Sequence, residues 1–314
     1  MNIMRTALAL LIPMLVFAQD VAQDVKRPRI TGMAHIALFV KDIEKSRAFY
    51  TGWLGYEEAF DLKNPDGSLS LTFVKVNEKQ YIELFPEREP NSDRLNHISI
   101  ETDNADQMRR YLASKGVKTP DTTPKGRIRN SNFNVKDADG HTVEIVQYEP
   151  DGWTIRDKGK ALGPNRISTE MMHLGIIAGS LSKAIGFYQG ILGFSETWRG
   201  SRDGKTLNWT NMKVPDGDTY VELMLYDKLP EPAKRGTQHH ICLSVPDIEA
   251  AVKKLEARPY YKTYSRGPLE IRTGVNRKRQ CNLYDPDGTR IELMEPFTID
   301  RKPTPSATAA PPIP

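Results

Sequence analysis

Four copies of one two-segment pattern constrain the fold of this chain more than any other feature. In each copy a His begins an apolar segment, as in His35–Val40, and a Glu lies inside a second apolar segment, as in Tyr81–Phe85. The His-to-Glu separations are 48, 47, 49 and 52 residues. Such regular spacing predicts an internal repeat. The repeated residues are His35, His97, His173 and His240, followed by Glu83, Glu144, Glu222 and Glu292.

Each copy is predicted to hold a helix and further strands between its His and its Glu. Asp42 and Asp247 precede helical patterns and can cap them, because an Asp oxygen accepts free N–H groups of the first turn. Asp-Gly turns such as Asp285–Gly288 separate the apolar runs that follow and predict a hairpin that carries the Glu. The chain is therefore predicted to be an α+β protein of four β-α-β-β-β modules.

The phase of each strand places its His and its Glu on one face of the sheet. Side chains alternate along a strand, so Ile36 and Leu38 can bury against a helix while His35 points the other way. The same alternation puts Glu83 opposite the helix-facing Ile82. A carboxylate on an enclosed face is unfavourable unless it is paired or bound to a metal. Imidazole and carboxylate are ordinary ligands of divalent cations.

The intervals between modules predict two domains. The longest His-to-His step, 76 residues, contains Pro150–Thr169, which is rich in Gly, Lys and Asp. We interpret it as a linker at 150–169 between a first domain at 31–149 and a second at 170–297. The Pro-rich end, 298–314, is expected to be a disordered tail.

The first residues carry a targeting pattern. A basic start, Met1–Arg5, precedes the apolar run Ala7–Ala18, which is too short to span a bilayer. This is typical of a secretory signal peptide, 1–18, cut after Ala18. We expect a periplasmic or secreted protein with no membrane attachment after cleavage. A net charge of only +4 argues against a nucleic-acid partner.

The motifs resemble the vicinal oxygen chelate superfamily, which includes glyoxalase I, extradiol dioxygenases and bleomycin resistance proteins. The resemblance is carried by Phe49-Tyr50 with Leu54-Gly55, by Phe187-Tyr188 with Leu192-Gly193, and by the His strands, Asp-x-Asp-Gly turns and Glu strands. It implies that modules pair into glyoxalase-like cupped mixed sheets, each around a metal. Four modules imply two cups, made by pairing the first module with either the second or the fourth.

The resemblance also implies a ligand set and an activity. Each cup would receive two His and two Glu, which favours the four-ligand, glyoxalase type of lyase or isomerase acting on a small oxygenated substrate. The metal would act as a Lewis acid, with Glu144 or Glu292 as the catalytic proton shuttle. Zn, Mn, Fe, Co and Ni all suit mixed nitrogen and oxygen donors. The expected ligands are His35, Glu83, His97 and Glu144, with His173, Glu222, His240 and Glu292.

Two other functions stay open. One is an Fe(II) extradiol-type ring-cleaving dioxygenase that uses His173, His240 and Glu292. The other is a resistance protein that binds a small molecule. A basic cluster suggests an anionic substrate, and a monomer, a homodimer and a disulfide between the only two cysteines are all compatible with the sequence. The cluster is Arg266, Arg272, Arg277, Lys278 and Arg279, and the cysteines are Cys242 and Cys281.

Overall fold

The computed structural model of the chain describes residues 25–90 and 92–312. There the chain forms two curled mixed β-sheets, of seven and eight strands, with short helices between the strands. The predicted α+β class is confirmed. The predicted signal peptide, 1–18, lies outside the described residues. Among the helices of the described residues, none is long and apolar enough to cross a membrane.

The first sheet is made by the first and second modules. Its strand order is β2-β3-β4-β1-β5-β7-β6. β1 pairs in parallel with β4 and antiparallel with β5, so the two His strands are central neighbours. The strands are β1 (Ile30–Val40), β2 (Glu57–Lys63), β3 (Leu69–Lys75), β4 (Tyr81–Pro86), β5 (Leu95–Thr102), β6 (Ser131–Lys136) and β7 (Thr142–Gln147).

The second module departs from the predicted pattern, because only β6 and β7 follow its helix as strands. An isolated bridge between Lys125 and Ser131 marks the position of the missing strand. Pro120 and Pro124 precede that bridge, and a proline cannot donate a ladder hydrogen bond. The second module therefore has one strand fewer than the predicted β-α-β-β-β pattern.

The second sheet is made by the third and fourth modules, in the order β13-β14-β15-β12-β8-β11-β10-β9. The His strands β8 and β12 are again antiparallel neighbours. Each cup is thus made by modules that follow one another in the chain. The strands are β8 (Met171–Ala178), β9 (Ser195–Ser201), β10 (Leu207–Lys213), β11 (Tyr220–Leu225), β12 (His240–Ser244), β13 (Ile271–Thr273), β14 (Lys278–Tyr284) and β15 (Arg290–Thr298).

The helices are short and begin where the sequence predicts. Asp42 accepts hydrogen bonds from the backbone of Glu44 and Lys45, and Asp247 accepts one from Ala250, which confirms both N-caps. The helices are α1 (Ile43–Arg47, continued by a π-helical turn at Ala48–Trp53), α2 (Ala105–Ser114), α3 (Trp153–Arg156), α4 (Leu181–Ile185, continued at Gly186–Ile191) and α5 (Ile248–Glu256), with 3₁₀ turns at Pro232–Lys234 and Pro259–Thr263.

One apolar core contains residues of both halves, so the halves are packed together rather than merely tethered. Trp53 illustrates the junction of the first and fourth modules. Its side chain is fully buried, its Nε1 donates to the carbonyl of Leu255 at 3.0 Å, and its ring stacks on Tyr260 with centroids 5.2 Å apart. The helix that carries the Phe-Tyr motif therefore binds the opposite half.

The Asp-x-Asp-Gly turns also join the two halves. Tyr50 donates from its hydroxyl to Asp285 at 3.1 Å, and its counterpart Tyr188 donates to Asp137 at 3.0 Å. The second Asp of each turn accepts a backbone N–H from the residue that follows β1 or β8 in the opposite half. The contacts join module one to module four and module two to module three, with approximate two-fold symmetry.

The predicted linker and the predicted tail both contact the sheets. The predicted linker contains α3, and Trp153 packs edge-on against Phe60 of the first cup at 5.5 Å between ring centroids. The expected tail runs beside β9 and β10, where Ala307 donates to the carbonyl of Arg199 at 2.9 Å and Ala310 forms a bridge with Thr206. An edge strand presents unpaired backbone groups, and these groups bind the tail.

Candidate metal centres

The first cup brings its four predicted ligands together on the concave face. His35 on β1 and His97 on β5 approach with their Nε2 atoms 3.0 Å apart. Glu83 lies 3.5 Å from His35 Nε2 and 3.7 Å from His97 Nε2. Glu144 lies 3.7 Å and 3.3 Å from the same two atoms. All four side chains are buried, so two imidazoles and two carboxylates converge on one point.

Burial and nearby charges give the two carboxyl groups of the first cup different pKa values. Burial, reinforced by the charge of Glu144, raises the pKa of Glu83 to about 7. Burial also opposes ionisation of Glu144, but His35 outweighs it, so the pKa of Glu144 lies below its ordinary value. Burial lowers the pKa of His97 to about 4, so this imidazole is neutral and able to bind a cation.

Hydrogen bonds orient ligands of the first cup for metal binding. Asn132 Nδ2 donates to Glu144 at 3.3 Å. His97 Nδ1 lies 3.2 Å from Asn96 Oδ1. An amide oxygen only accepts, so Nδ1 of His97 carries the proton and Nε2 is left with a free lone pair. A ring nitrogen donor to a nearby oxygen is the usual arrangement behind a metal-binding histidine.

A cavity of about 190 Å³ opens over the first cup and is lined by all four ligand side chains. Apolar side chains form its walls, and Arg127 and Asn130 add polar groups. The guanidinium of Arg127 donates to Ser70 Oγ at 3.0 Å and to the carbonyl of Lys63. The wall residues include Leu62, Leu71, Phe73, Phe85, Ile128 and Val146.

The second cup repeats this geometry. His173 and His240 have their Nε2 atoms 3.0 Å apart. Glu292 lies 3.4 Å from His173 Nε2 and 3.7 Å from His240 Nε2, while Glu222 lies 3.4 Å from His240 Nε2. Burial, with the charge of Glu292, raises the pKa of Glu222. Burial also opposes ionisation of Glu292, but His173 keeps the pKa of Glu292 below its ordinary value.

A guanidinium distinguishes the second cup from the first. Arg290 lies two residues before Glu292 on β15 and places its Nη2 2.5 Å from His240 Nδ1. The carbonyl of Gln238 also faces Nδ1 but lies farther away, at 3.5 Å. Guanidinium groups only donate, so in the shorter contact Nδ1 of His240 accepts and its proton lies on Nε2. The corresponding residues before the other three Glu ligands are Tyr81, Thr142 and Tyr220. Arg290 is not among the predicted site residues, although its phase on the strand places it on the cup face.

The cavity beside the second cup is separate from its predicted ligands. It measures about 350 Å³ and is lined by Trp198, Asn211, Tyr220 and Lys278 among others, but by none of the four His and Glu side chains. Tyr220 covers His173, with ring centroids 4.6 Å apart. Of the predicted basic cluster, Lys278 alone lines this cavity; Arg272, Arg277 and Arg279 pair with Glu270, Asp300 and Glu295.

The remaining sequence candidates take structural roles. Cys242 and Cys281 are both buried free thiols, so they form no disulfide with each other. His141 pairs with Asp137 at 2.9 Å and contacts the His239 ring at the junction of the halves. The structure thus places His141 and His239 apart from both ligand clusters.

Both cups contain residue types that bind divalent cations. In each, two His and one Glu offer one ligand atom apiece within 4.8 Å of one another, namely His35, His97 and Glu144, and His173, His240 and Glu292. Neutral imidazole and carboxylate together suit Zn, Mn, Fe, Co or Ni. Burial of these carboxylates is otherwise unfavourable, so a divalent metal cofactor accounts for their position.

Two cupped sheets, each with a cluster of two His and two Glu on its concave face, define a two-domain protein of the metal-chelating βαβββ class. The sequence agrees. The chain belongs to the Glyoxalase/Bleomycin resistance protein/Dioxygenase superfamily, whose profile matches residues 32–145 and 170–293.

Curated relatives include enzymes of full and half length. The chain is 24% identical over 307 residues to a lactoylglutathione lyase of Schizosaccharomyces pombe, covering 83% of this chain and 95% of that protein. It is 31% identical over 140 residues to the lactoylglutathione lyase of Salmonella typhimurium, covering 42% of this chain and 98% of that protein. The shorter relative thus corresponds to one half of this chain.

Solved structures share the two-domain fold. An Mn(II)-bound glyoxalase from Novosphingobium aromaticivorans aligns with a TM-score of 0.65 at 15% identity, over 91% of this chain and 88% of that one. A mutant homoprotocatechuate 2,3-dioxygenase from Brevibacterium fuscum aligns with a TM-score of 0.63 at 20% identity, over 86% and 72%. At these identities the likeness shows the fold alone.

Proposed function

We propose that this protein is a metal-dependent lyase or isomerase of the glyoxalase type, with its active site in the first cup. The observation that carries the proposal is the cavity of about 190 Å³ into which His35, Glu83, His97 and Glu144 all project. A substrate in that cavity lies against the predicted ligands. The similarity to a lactoylglutathione lyase over most of the chain supports the same reaction class.

The cavity favours a small substrate with an apolar body and one anionic group. Its volume lies below the 300–1,000 Å³ typical of sites for drug-sized ligands. Leu62, Leu71 and Phe73 offer apolar contacts. Arg127 lines the cavity and forms no ion pair with any described residue, so its charge is available to a carboxylate. An α-hydroxycarbonyl compound with a short acidic substituent meets these requirements.

The two carboxyl groups of the first cup suit proton transfer between adjacent carbons. A divalent cation held there supplies Lewis-acid polarisation of a substrate carbonyl. Glu144, the carboxyl with the lower pKa, is the base that removes a proton from the neighbouring carbon, and Asn132 holds its orientation. Glu144 then returns the proton to the adjacent carbon, so one carboxylate serves both transfers. Glu83 loses its proton when the cation binds and stays a ligand.

Hydrogen exchange at carbon tests this proposal. We expect the Mn²⁺-loaded protein to exchange the hydrogens on the hydroxyl-bearing carbon of an α-hydroxyketone with a short acidic substituent, such as 5-hydroxy-4-oxopentanoate, with solvent deuterium, as measured by NMR. Glu144→Gln should slow the exchange about 10²–10⁴-fold, the usual contribution of a general base. Glu149→Gln is the matched control, because Glu149 binds Ser131 outside the cavity. No exchange with any such compound, or with lactoylglutathione, would refute the proposal.

A dioxygenase activity is the second candidate, because His35, His97 and Glu144 of the first cup form a group of two His and one Glu that can hold Fe(II). Oxygen uptake by the Fe²⁺-loaded protein in the presence of catechols would replace the lyase proposal with this one. Binding of a small molecule in the cavity without turnover and without metal would instead support the resistance-protein function.

We also propose that the protein acts outside the cytosol. The support is the pattern at Met1–Ala18, a basic start followed by a short apolar run. A substrate in that compartment need not carry glutathione, which agrees with the small cavity of the first cup.

A further inference from the structure

The two cups offer the same four ligand types, yet one residue changes the chemistry of the second. In the first cup His97 donates from Nδ1 to Asn96, so Nε2 can bind a metal. In the second cup Nδ1 of His240 accepts from Arg290. A neutral imidazole carries one proton, so the Nε2 of His240 that faces Glu222 and Glu292 is protonated.

A protonated Nε2 cannot bind a cation, and its N–H faces acceptors of the second cup instead. The nearest is His173 Nε2 at 3.0 Å, with Glu222 at 3.4 Å and Glu292 at 3.7 Å. The permanently charged guanidinium of Arg290 adds a positive charge behind the ring. Both effects oppose a divalent cation at this point.

The packing around Arg290 fixes this arrangement. Its Nε is buried without a hydrogen-bond partner among the described residues, and its Nη2 lies 3.4 Å from the Met224 sulfur. His240 is fully buried, and its ring occupies the space that a Cβ at Gly175 would fill, so the imidazole packs directly against the backbone of β8. The ring and the guanidinium therefore hold each other in place.

The cavities also distinguish the two cups. All four ligand side chains of the first cup face a cavity, whereas the cavity beside the second cup is lined by Tyr220 and Lys278 in place of the four ligands. Met172, Cys242 and Met294 form an apolar cluster with Tyr220, and Tyr220 also lines that cavity. A molecule in the cavity beside the second cup would therefore not contact the four His and Glu side chains.

We propose that Arg290 holds His240 in the Nε2–H tautomer and so excludes a divalent metal from the second cup. The chain then binds one ion, in the first cup, and the second His and Glu cluster is a self-neutralised structural core. This inference is independent of the reaction catalysed in the first cup.

The test counts Mn²⁺ ions bound to the chelator-treated protein by calorimetric titration, with the metal content checked by mass spectrometry. We expect one ion per chain for the wild type, one for His240→Ala and none for His97→Ala. Arg290→Met should gain a second ion, and Arg290→Lys, which retains a cation, should not. Arg272→Met is the matched control, because Arg272 is exposed and paired with Glu270, and it should leave the count at one.

Binding of Mn²⁺ at the first cup reports folding in every variant that keeps His97, so a misfolded variant is recognised. Two ions on the wild type would overturn the inference, as would a folded Arg290→Met protein that still binds one. A wild type that binds none would refute the proposed function, while the gain in Arg290→Met would still test the second cup.

Discussion

Metal affinity of the first cup should depend steeply on pH, because Glu83 must lose a proton to bind a cation. Burial, with the charge of Glu144, raises the pKa of Glu83 to about 7 in the metal-free protein. A group with that pKa is about 3% ionised near pH 5.5 and about 90% ionised near pH 8. We therefore expect Mn²⁺ to bind about 30-fold more weakly at the lower pH from this proton alone.

His97 and His35 affect the pH dependence of Mn²⁺ affinity differently. The pKa of His97, about 4 because of burial, lies below the whole range, so His97 stays neutral and adds nothing. Burial opposes protonation of His35, but Glu83 and Glu144 outweigh it and raise the pKa of His35. A proton on His35 must also leave, so it can only steepen the dependence.

Glu83→Gln isolates the effect. The amide should bind Mn²⁺ more weakly near pH 8 and lose most of the pH dependence, as measured by calorimetric titration. The same carboxyl predicts that the metal-free wild type loses stability as pH rises from the ordinary carboxyl pKa to about 7, because the folded state keeps a proton that the unfolded chain releases. An unchanged slope in Glu83→Gln, or a flat wild-type affinity, would refute the reasoning.

Three further predictions concern packing, catalysis and export. Trp53→Ala should lower the free energy of unfolding by about 3–5 kcal/mol, because it leaves a cavity. Trp53→Phe should lower it by about 1–3 kcal/mol, because the carbonyl of Leu255 loses its donor. Equal losses for the two variants in denaturant titrations would contradict this. Glu144→Gln, assayed at saturating Mn²⁺, should lower kcat about 10²–10⁴-fold while the variant stays folded in denaturant titrations. An unchanged kcat would show that Glu144 is not the base. N-terminal sequencing of the exported protein should begin at Gln19; a start at Met1 would refute cleavage after Ala18.

The sequence was sufficient for the architecture because the repeat is carried by strand periodicity. The phase that sends Ile36 to the helix and His35 to the cup is local, and alternation along a strand determines it. Which modules share a sheet could not be predicted, because that choice depends on how whole modules pack against one another. The second module lacks a strand near Pro120 and Pro124, because proline cannot donate a ladder hydrogen bond. The tail contacts β9 because β9 is an edge strand with free backbone groups, and its place at the edge is known only from the assembled sheet.

For the site, regular spacing was enough to select residues that the fold then brings together, but not to distinguish the cups. The relevant signal for Arg290 was present: it lies on the ligand face two residues before Glu292. The direction of the Arg290 guanidinium could not be predicted, because it depends on packing against Met224. Arg127 and Asn132 were missed because they come from the irregular second module, where no repeat marks their position.

The reciprocal contacts between Tyr50 and Asp285 and between Tyr188 and Asp137 have a consequence for how such a chain can diverge. Relatives of half length exist, and two identical half-chains could form the same contacts only as a pair, with every substitution appearing twice. Joining the halves through 150–169 makes the association independent of concentration. It also lets an arginine enter one cup while the other keeps a threonine or tyrosine at the matching place. Covalent fusion is therefore what permits the two cups of one molecule to differ.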